Sequence, residues 1–388
     1  MITFIHDLLA DMAADGGWYG YISIFQWVSF RAIAAVVCSF VLVIVLGKRI
    51  IDWLVRQKIG DAPEFYHSDL NQLMARKAAT PTMGGIMISG AALVSTLLLA
   101  DLANFYVLLG LIVLVWLSVL GGVDDWLKLT SARRAQGRRE GLYAWEKMLF
   151  QLGIAFLAGV FIYRHGMDNA AMAHSFPTLP LMKAFDPATR EPLELWLLPA
   201  WAFTFIAMIV ISGMSNAVNL TDGMDGLASG LASISAFGLM VLCLIVGNDV
   251  FAKMLLMPWV PYTDELSVLA GALAGASLGF LWYNCSPAQV FMGDTGSLAL
   301  GGVMAYIAVV IRQEFLFMLI GGVFVWEAFS VMLQVGYFKA TKGKRIFRVA
   351  PIHHHYHLGG WTEQQVVVRF WVITAVLVAI ALATIKLR

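Results

Sequence analysis

Long apolar runs are the feature that most constrains how this chain can fold. A helix needs about 20 mostly apolar residues to cross the hydrocarbon core of a bilayer, and about ten stretches of the sequence are candidates. They cover approximately residues 22–46, 84–100, 105–121, 147–163, 196–213, 227–246, 266–282, 298–311, 315–337 and 367–386. Sixty percent of the 388 residues are hydrophobic and only 13% are charged, about half the charged share of a soluble domain. The sequence therefore predicts an all-α polytopic membrane protein with ten transmembrane helices, forming one integral membrane domain over residues 1–388.

Lysine and arginine residues are unevenly distributed between the two sets of connecting segments. The segments after the first, third and ninth runs contain 18 of the 26, the opposite face contains seven, and Arg31 lies inside the first run. Because basic residues accumulate in short cytoplasmic loops, this bias predicts that both termini are periplasmic. The same alternation places loops 213–226 and 283–297 in the cytoplasm, although neither contains Lys or Arg.

Three polar residues within the apolar runs leave a second class of protein open. Arg31, Glu327 and Gln334 each need a partner or a wet cavity, because an unpaired polar group in lipid is costly. Such residues line the substrate path of transporters. Against a transporter, the sequence shows no internal repeat, and its polar motifs lie near one face of the membrane.

The first of five polar motifs ends the third run with two adjacent carboxylates. Asp124 and Asp125 are followed by Lys128, which lies one helical turn after Asp124. Adjacent carboxylates repel each other unless a cation lies beside them. Mg²⁺ is commonly held by one or two carboxylates together with phosphate oxygens. The alternative interpretation is an acidic pair that ends a helix in water.

The second motif covers residues 216–227 and contains two Asn, two Asp and two Gly between apolar runs. Glycine allows a ligand to approach the backbone closely, and the side chains of Asn219, Asp222 and Asp225 can hold a metal or bind the edge of a base or ribose. A turn is the alternative, because Asn, Asp and Gly are also the commonest turn residues.

The third motif covers residues 291–297 and precedes the eighth run. Asp294 is framed by glycines, and its oxygens or the Ser297 hydroxyl can cap the helix while still leaving donors for a metal. Phe291 offers an aromatic face on which a base can stack.

The fourth motif precedes the second run and combines Lys77 with Thr80 and Pro81. The first turn of a helix has free backbone N–H groups that bind anions, and a nearby lysine strengthens this preference. An ordinary helix start explains the same residues.

The fifth motif concentrates half of the chain's eight histidines. They are His353, His354, His355 and His357. Zinc binding is disfavoured, because adjacent histidines rarely point at one ion and no Cys or His-Glu-x-x-His spacing accompanies them. The histidines can instead act with the basic residues upstream as donors to phosphate oxygens. A solvated loop beside the membrane is the alternative.

Together these motifs favour phosphoryl transfer to or from a membrane lipid at the cytoplasmic face. Acidic residues would gather a divalent cation, and the cation with Lys and His would neutralise phosphates. A metal-dependent membrane phosphatase is the nearest alternative; it would release phosphate without a lipid acceptor.

The same motifs, in the same order, resemble those of the polyprenyl-phosphate N-acetylhexosamine-1-phosphate transferases. The matching segments are residues 80–85, 123–125, 216–227, 291–294 and 350–355. The full triple-histidine run resembles the branch that transfers phospho-N-acetylmuramoyl-pentapeptide. Relatives that transfer N-acetylglucosamine phosphate usually lack this run and are the alternative within the family.

The resemblance implies a reaction and its setting. UDP-N-acetylmuramoyl-pentapeptide and undecaprenyl phosphate would give lipid I and UMP, in the peptidoglycan synthesis that supports cell-wall biogenesis, cell shape and cell division. The resemblance further implies Mg²⁺ as cofactor, a homodimer among membrane lipids, and an active-site cleft on the cytoplasmic side of the bacterial inner membrane. It leaves open whether an Asp forms a covalent intermediate or the lipid phosphate attacks directly.

The resemblance also implies roles for individual residues, with Asp294 as the metal ligand. The expected catalytic residues are Asp124, Asp125, Asp294, His353, His354 and His355. The expected substrate-binding residues are Lys77, Thr80, Lys128, Asn219, Asp222, Asp225 and Phe291, with Phe291 stacked on uracil. The family pattern more often has an acidic residue at the position of His357, so the resemblance assigns this histidine no role.

Overall fold

The computed structural model of the protein describes residues 23–57, 80–131, 141–169, 183–191, 193 and 198–385. These residues form thirteen α-helices, preceded by a 3-10 turn at Ser23–Gln26. The helices are α1 (Val28–Arg56), α2 (Gly85–Leu99), α3 (Phe105–Ser131), α4 (Ala144–Asn169), α5 (Ala200–Thr221), α6 (Leu227–Val246), α7 (Asp249–Leu255), α8 (Leu266–Asn284), α9 (Gly293–Val310), α10 (Glu314–Ile320), α11 (Gly322–Ala340), α12 (Ile352–Leu358) and α13 (Glu363–Thr384).

The predicted all-α membrane class is confirmed, since a helix lies at each of the ten predicted runs. In the described part of the chain, eight helices are long and apolar enough to cross a bilayer. The pair α10 and α11 makes a ninth span if counted together, but the two helices meet at a bend of 84°. Helix α2 has 15 residues, or about 22 Å at 1.5 Å per residue, which is shorter than a hydrocarbon core of about 30 Å.

Helix α9 occupies the centre of the bundle. It packs against α2, α3, α5 and α6, and every residue after its first one is buried. A helix surrounded by neighbours is apolar or small on all sides rather than along one stripe, and the repeated Gly and Ala residues of α9 meet this condition. Its first residue is Gly293, five positions before the predicted start, so the third motif belongs to the helix itself.

Two glycines allow the first turn of α9 to lie between α2 and α3. A Cβ atom added to Gly121 would lie 2.1 Å from the carbonyl oxygen of Asp294, and one added to Gly85 would lie 2.1 Å from the backbone nitrogen of Gly296. Neither contact is sterically possible for a larger residue. Gly121 and Gly85 therefore allow three helices to come together around Asp294.

The polar residues within the spans are engaged in holding helices together. Arg31 of α1 bonds the carboxylate of Glu265, with 2.7 Å between Nη1 and Oε2. Glu327 of α11 bonds a histidine ring of α12, and Gln334 accepts hydrogen bonds of 3.0 Å from the backbone of residues 346–347. These contacts explain the three polar residues that had made a transporter an alternative interpretation.

Candidate active site

Four charged side chains from three helices meet at one end of the bundle. The Nζ atom of Lys128 lies 2.7 Å from Oδ2 of Asp124 and 3.3 Å from Oδ2 of Asp294. The Nζ atom of Lys147 lies 3.0 Å and 2.8 Å from the same two oxygens. Asp124 and Asp294, 170 positions apart in the sequence, therefore share both of their cations, as the predicted site on one face requires.

The lysines lie at the opening of this cluster and the carboxylates lie inside it. The side chain of Asp124 is fully buried and that of Asp294 is 11% exposed, whereas Lys128 and Lys147 are 36% and 23% exposed. The other Asp124 oxygen accepts a 2.7 Å hydrogen bond from the backbone nitrogen of Leu142. An anion that approaches from outside meets the two ammonium groups first.

Asp125 is turned away from the lysines and caps α9. Its carboxylate accepts hydrogen bonds from the backbone nitrogens of Asp294 (3.1 Å) and Thr295 (2.9 Å) and from the Thr295 hydroxyl (2.7 Å). The first N–H groups of a helix have no partner within the helix and favour a negative charge. The prediction that Asp294 or Ser297 supplies this cap is wrong, because the cap comes from a neighbouring helix.

Asn219, at the last turn of α5, contacts the same acidic group. Its Nδ2 atom donates to Oδ1 of Asp294 at 2.8 Å and lies 2.9 Å from the Ser297 hydroxyl. The resemblance implies a nucleoside contact for Asn219, whereas here its amide orients Asp294. Both oxygens of Asp294 are thus engaged, one by an amide and one by two lysines.

Asp222 follows α5 and faces the first turn of α9, where the backbone of Gly293 donates a hydrogen bond to its carboxylate. Burial of the carboxyl group, together with the negative charge of Asp294, raises the pKa of Asp222 to about 7. A cation bound beside these acids would favour the charged form of Asp222.

Asp225 is buried on the far side of the same loop. Its Oδ2 atom accepts a 3.1 Å hydrogen bond from the backbone nitrogen of Ala288, and its own backbone nitrogen donates to Oε1 of Glu363 at 2.9 Å. Asp225 therefore links the second motif to the loop before α9 and to the start of α13.

The fourth motif lies directly against Phe291. The backbone nitrogen of Phe291 donates to the carbonyl of Pro81, and the backbone nitrogen of Gly84 donates to the carbonyl of Phe291, both at 2.8 Å. Phe291 and Thr80 are half-buried, so each retains an accessible surface near the site. Lys77 lies outside the described residues.

The histidine run forms the short helix α12, and its members face different ways. His353 and His354 are buried against the second motif: a Cβ atom added to Gly223 would lie 2.5 Å from Nε2 of His353 and 3.5 Å from Nε2 of His354. In contrast, Nδ1 of His355 accepts a 3.1 Å hydrogen bond from the backbone nitrogen of Arg348.

His357 contacts its own segment, with 2.9 Å between its Nδ1 and the carbonyl oxygen of Trp361. Only the first half of the run therefore reaches the acidic motifs.

The carboxylates at the centre of the site fit a magnesium ion whose coordination shell would be completed by substrate oxygens. Within the described residues, no group of three or more His, Cys, Asp or Glu side chains is arranged to hold a metal. Mg²⁺ does not need such a cage, since it retains waters and binds one or two carboxylates together with phosphate oxygens. Asp294 and Asp124 supply two carboxylates that already lie within reach of common cations.

Lys147 is the site residue that sequence reasoning missed. It entered only the count of basic residues, because no motif surrounds it and the acids that it contacts lie 23 and 147 positions away. The sequence predicted a helix that begins near Lys147, but it did not show which other helix end this one would meet.

The fold and this cluster define a class: a polytopic membrane protein whose buried acids and partly exposed lysines form a charged cluster at one end of the bundle. A sequence profile described as "Glycosyl transferase family 4" matches residues 105–312, which include all four side chains of the cluster.

Relatives of known name match almost the whole chain. A protein of Desulfotalea psychrophila is 44% identical over 367 residues, or 94% of this chain and 96% of the relative. Proteins of Solidesulfovibrio magneticus and Maridesulfovibrio salexigens are 42% and 41% identical, each covering 99% of this chain and 100% of the relative. All three are named phospho-N-acetylmuramoyl-pentapeptide-transferase. The chain belongs to glycosyl transferase family 4 and, within it, to the phospho-N-acetylmuramoyl-pentapeptide-transferases.

Proposed function

We propose that this protein transfers phospho-N-acetylmuramoyl-pentapeptide from its UDP derivative to undecaprenyl phosphate, forming lipid I and UMP in peptidoglycan synthesis. The observation that carries the proposal is that Lys128 and Lys147 each form ion pairs with both Asp124 and Asp294. The names of the relatives, which are similar over nearly the full length of the chain, indicate the substrates.

The charges in the cluster suit two phosphate-bearing substrates. Lys128 and Lys147 would exchange part of their contact with the carboxylates for phosphate oxygens, which meet them first at the opening of the site. Asp294, oriented by Asn219, would hold Mg²⁺ with Asp124. When bound, the ion would offset the repulsion between the acceptor phosphate and the pyrophosphate of the donor.

We favour direct attack by the lipid phosphate on the phosphate next to the sugar, with UMP as the leaving group. A phosphate monoester has a second pKa of about 6, so the acceptor is mostly dianionic at neutral pH and needs little help from a base. Asp125 is a poor nucleophile because three donors of α9 occupy its carboxylate. Asp124 is fully buried behind the two lysines, and once phosphate oxygens take up part of the lysine contacts it would orient the acceptor phosphate.

A covalent intermediate makes a distinct prediction. Nucleophilic attack by Asp124 would form an aspartyl phospho-sugar ester and release UMP before any acceptor is added. The test is incubation with the UDP-sugar and Mg²⁺ alone, followed by mass spectrometry of the intact protein. Detection of this ester would overturn direct attack.

The remaining binding roles belong to the same proposal. Phe291 would stack on uracil, with Lys77, Thr80, Asp222 and Asp225 around the nucleotide. His353, His354 and His355 remain candidate catalytic residues, although His355 bonds its own loop. We further propose that the chain acts as a single membrane domain and as a homodimer in the bacterial inner membrane. The count of basic residues supports a cytoplasmic site with periplasmic termini.

The test uses purified protein with UDP-N-acetylmuramoyl-pentapeptide, Mg²⁺ and a short-chain polyprenyl phosphate. We expect UMP release that requires both the acceptor and the metal. Release of UMP only with UDP-N-acetylglucosamine would favour the related branch. Chelator-sensitive release of inorganic phosphate without an acceptor would favour a phosphatase, and substrate flux into liposomes without UMP would favour a transporter.

A further inference from the structure

Glu327 is an acidic residue in the apolar helix α11 that neither the sequence motifs nor the comparisons connect with the reaction. Its side chain is fully buried, and its Oε2 atom lies 3.0 Å from Nδ1 of His353, which is also fully buried. A buried carboxylate is costly unless it is paired, and an acidic residue within a membrane span is a candidate for a functional role.

The other nitrogen of His353 points toward the acidic loop of the site. Its Nε2 atom has no hydrogen-bond partner among the described residues. A Cβ atom added to Gly223 would lie 2.5 Å from this nitrogen, and Gly223 follows Asp222, which bonds the first turn of α9. A buried polar atom without a partner, facing a binding loop, is a place where a ligand atom can complete the hydrogen bond.

Helix α11 holds the histidine segment at a second point as well. Oε1 of Gln334, two turns after Glu327, accepts hydrogen bonds from the backbone nitrogens of Ile346 and Phe347, and its Nε2 donates to the carbonyl of Phe347, all at 3.0 Å. Gln334 therefore fixes the loop that leads into α12. Of these two residues, Gln334 bonds backbone groups and Glu327 bonds an imidazole ring.

We infer that Glu327 is a positioning residue that fixes the tautomer and orientation of His353, so that Nε2 of the ring accepts a hydrogen bond from bound UDP-sugar substrate. Beside an ionised carboxylate, which can only accept, a neutral imidazole carries its proton on Nδ1 and presents the lone pair of Nε2. A carboxylate that orients a histidine in this way selects one of two tautomers. Hydroxyl and amide N–H groups of the sugar or peptide are the ligand groups that such a nitrogen accepts. The inference rests on the proposed function.

The decisive variant is Glu327→Gln, which retains the shape of the side chain but removes its charge. A glutamine amide can donate to Nδ1 and thereby allow the other tautomer, in which Nε2 carries a proton. We expect turnover at saturating substrates to fall at least tenfold. Binding of the UDP-sugar, measured with Mg²⁺ but without acceptor, should weaken in the same variant.

A double-mutant cycle with His353→Asn separates positioning from a general loss of stability. If Glu327 acts only through His353, then Glu327→Gln in the His353→Asn background changes turnover less than twofold. A further loss close to the product of the single losses would overturn the inference. If Glu327→Gln alone does not fold, the comparison of His353→Asn with the double variant still tests the inference, because neither protein has a ring at position 353 for Glu327 to orient.

Ser330→Ala is the matched control. Ser330 is buried one turn away on α11 and its hydroxyl donates to the backbone carbonyl of Glu327, not to the carboxylate. We expect its turnover to remain within twofold of the parent protein. If the parent protein releases UMP but Glu327→Gln is equally active, the inference alone fails. If the parent protein releases no UMP with any acceptor, the proposed function fails first.

Discussion

The two ends of the helix bundle each contain buried charged side chains, but they are built differently. At the end opposite the site, Arg31 bonds both oxygens of Glu265 and the carbonyl oxygen of Leu99, and Glu265 also accepts from the backbone nitrogen of Asp101. All of these contacts lie between one arginine, one carboxylate and the neighbouring backbone, and the arginine side chain is 4% exposed.

At the site end, each of two lysines contacts both Asp124 and Asp294, and the lysine side chains remain partly exposed. A single arginine–carboxylate pair with planar, bidentate contacts satisfies both charges. A lysine is a compact charge with rotatable donors, and a shared lysine can turn toward a new anion while remaining close to both acids. The difference fits a first cluster that holds helices together and supports the proposal that the second cluster binds the phosphates of the substrates.

The largest expected effect is that of Asp294→Asn. An amide cannot replace the carboxylate charge that both lysines and a bound Mg²⁺ require, so we expect transfer to fall at least about 1,000-fold, or about 4 kcal/mol of barrier. The rate of UMP release measures this, with thermal unfolding to show that the variant is folded. Turnover near that of the parent protein would remove Asp294 from the site.

At the opposite end, Arg31→Met should lower the free energy of unfolding and leave the chemistry intact. Removing one partner of a buried ion pair leaves the other charge unpaired, at a cost of roughly 3 kcal/mol. We expect unchanged turnover per folded molecule. The double variant Arg31→Met/Glu265→Gln should recover part of the stability, because no unpaired charge remains. If Arg31→Met instead slowed turnover at full stability, the contrast between the two ends would be lost.

A smaller loss is expected for Lys147→Gln. Lys147 is the less exposed of the two lysines and contacts both carboxylates, so its removal deprives the site of a cation that the phosphates would meet. We expect kcat/KM to fall about 100-fold, or about 2.7 kcal/mol. Lys128→Gln provides the comparison: because Lys128 is the more exposed lysine, it should lose less. The reverse order would contradict the arrangement of the opening.

The parts of the structure that depend on local sequence were predicted well. Apolar length predicted a helix at each of the ten runs, and the alternation of the runs predicted that the acidic motifs share one face. The short α2 and the bent pair α10 and α11 depart from the prediction, because hydropathy reports apolar length but not whether a helix spans or breaks.

The contacts within the site could not be predicted, because they depend on which helix ends meet. Asp124 and Asp125 are adjacent and chemically identical, yet one pairs with lysines and the other caps α9. That division follows from the direction of each side chain on α3 and from the close approach of α9 at Gly121. The contact between Glu327 and His353 also joins two helices, and no local pattern in either segment predicts it.

The smallest of these effects should come from His354→Ala, and it tests whether the histidine run belongs to the site end. His354 is 3% exposed and its Nε2 faces the loop at Gly223, so we expect turnover to fall at least tenfold, or about 1.4 kcal/mol. His357→Gln is the control, because His357 bonds the carbonyl of Trp361 in its own segment and should leave turnover within about twofold. Equal rates for the two variants would make α12 a structural element, and the site end would then depend on its acids and lysines alone.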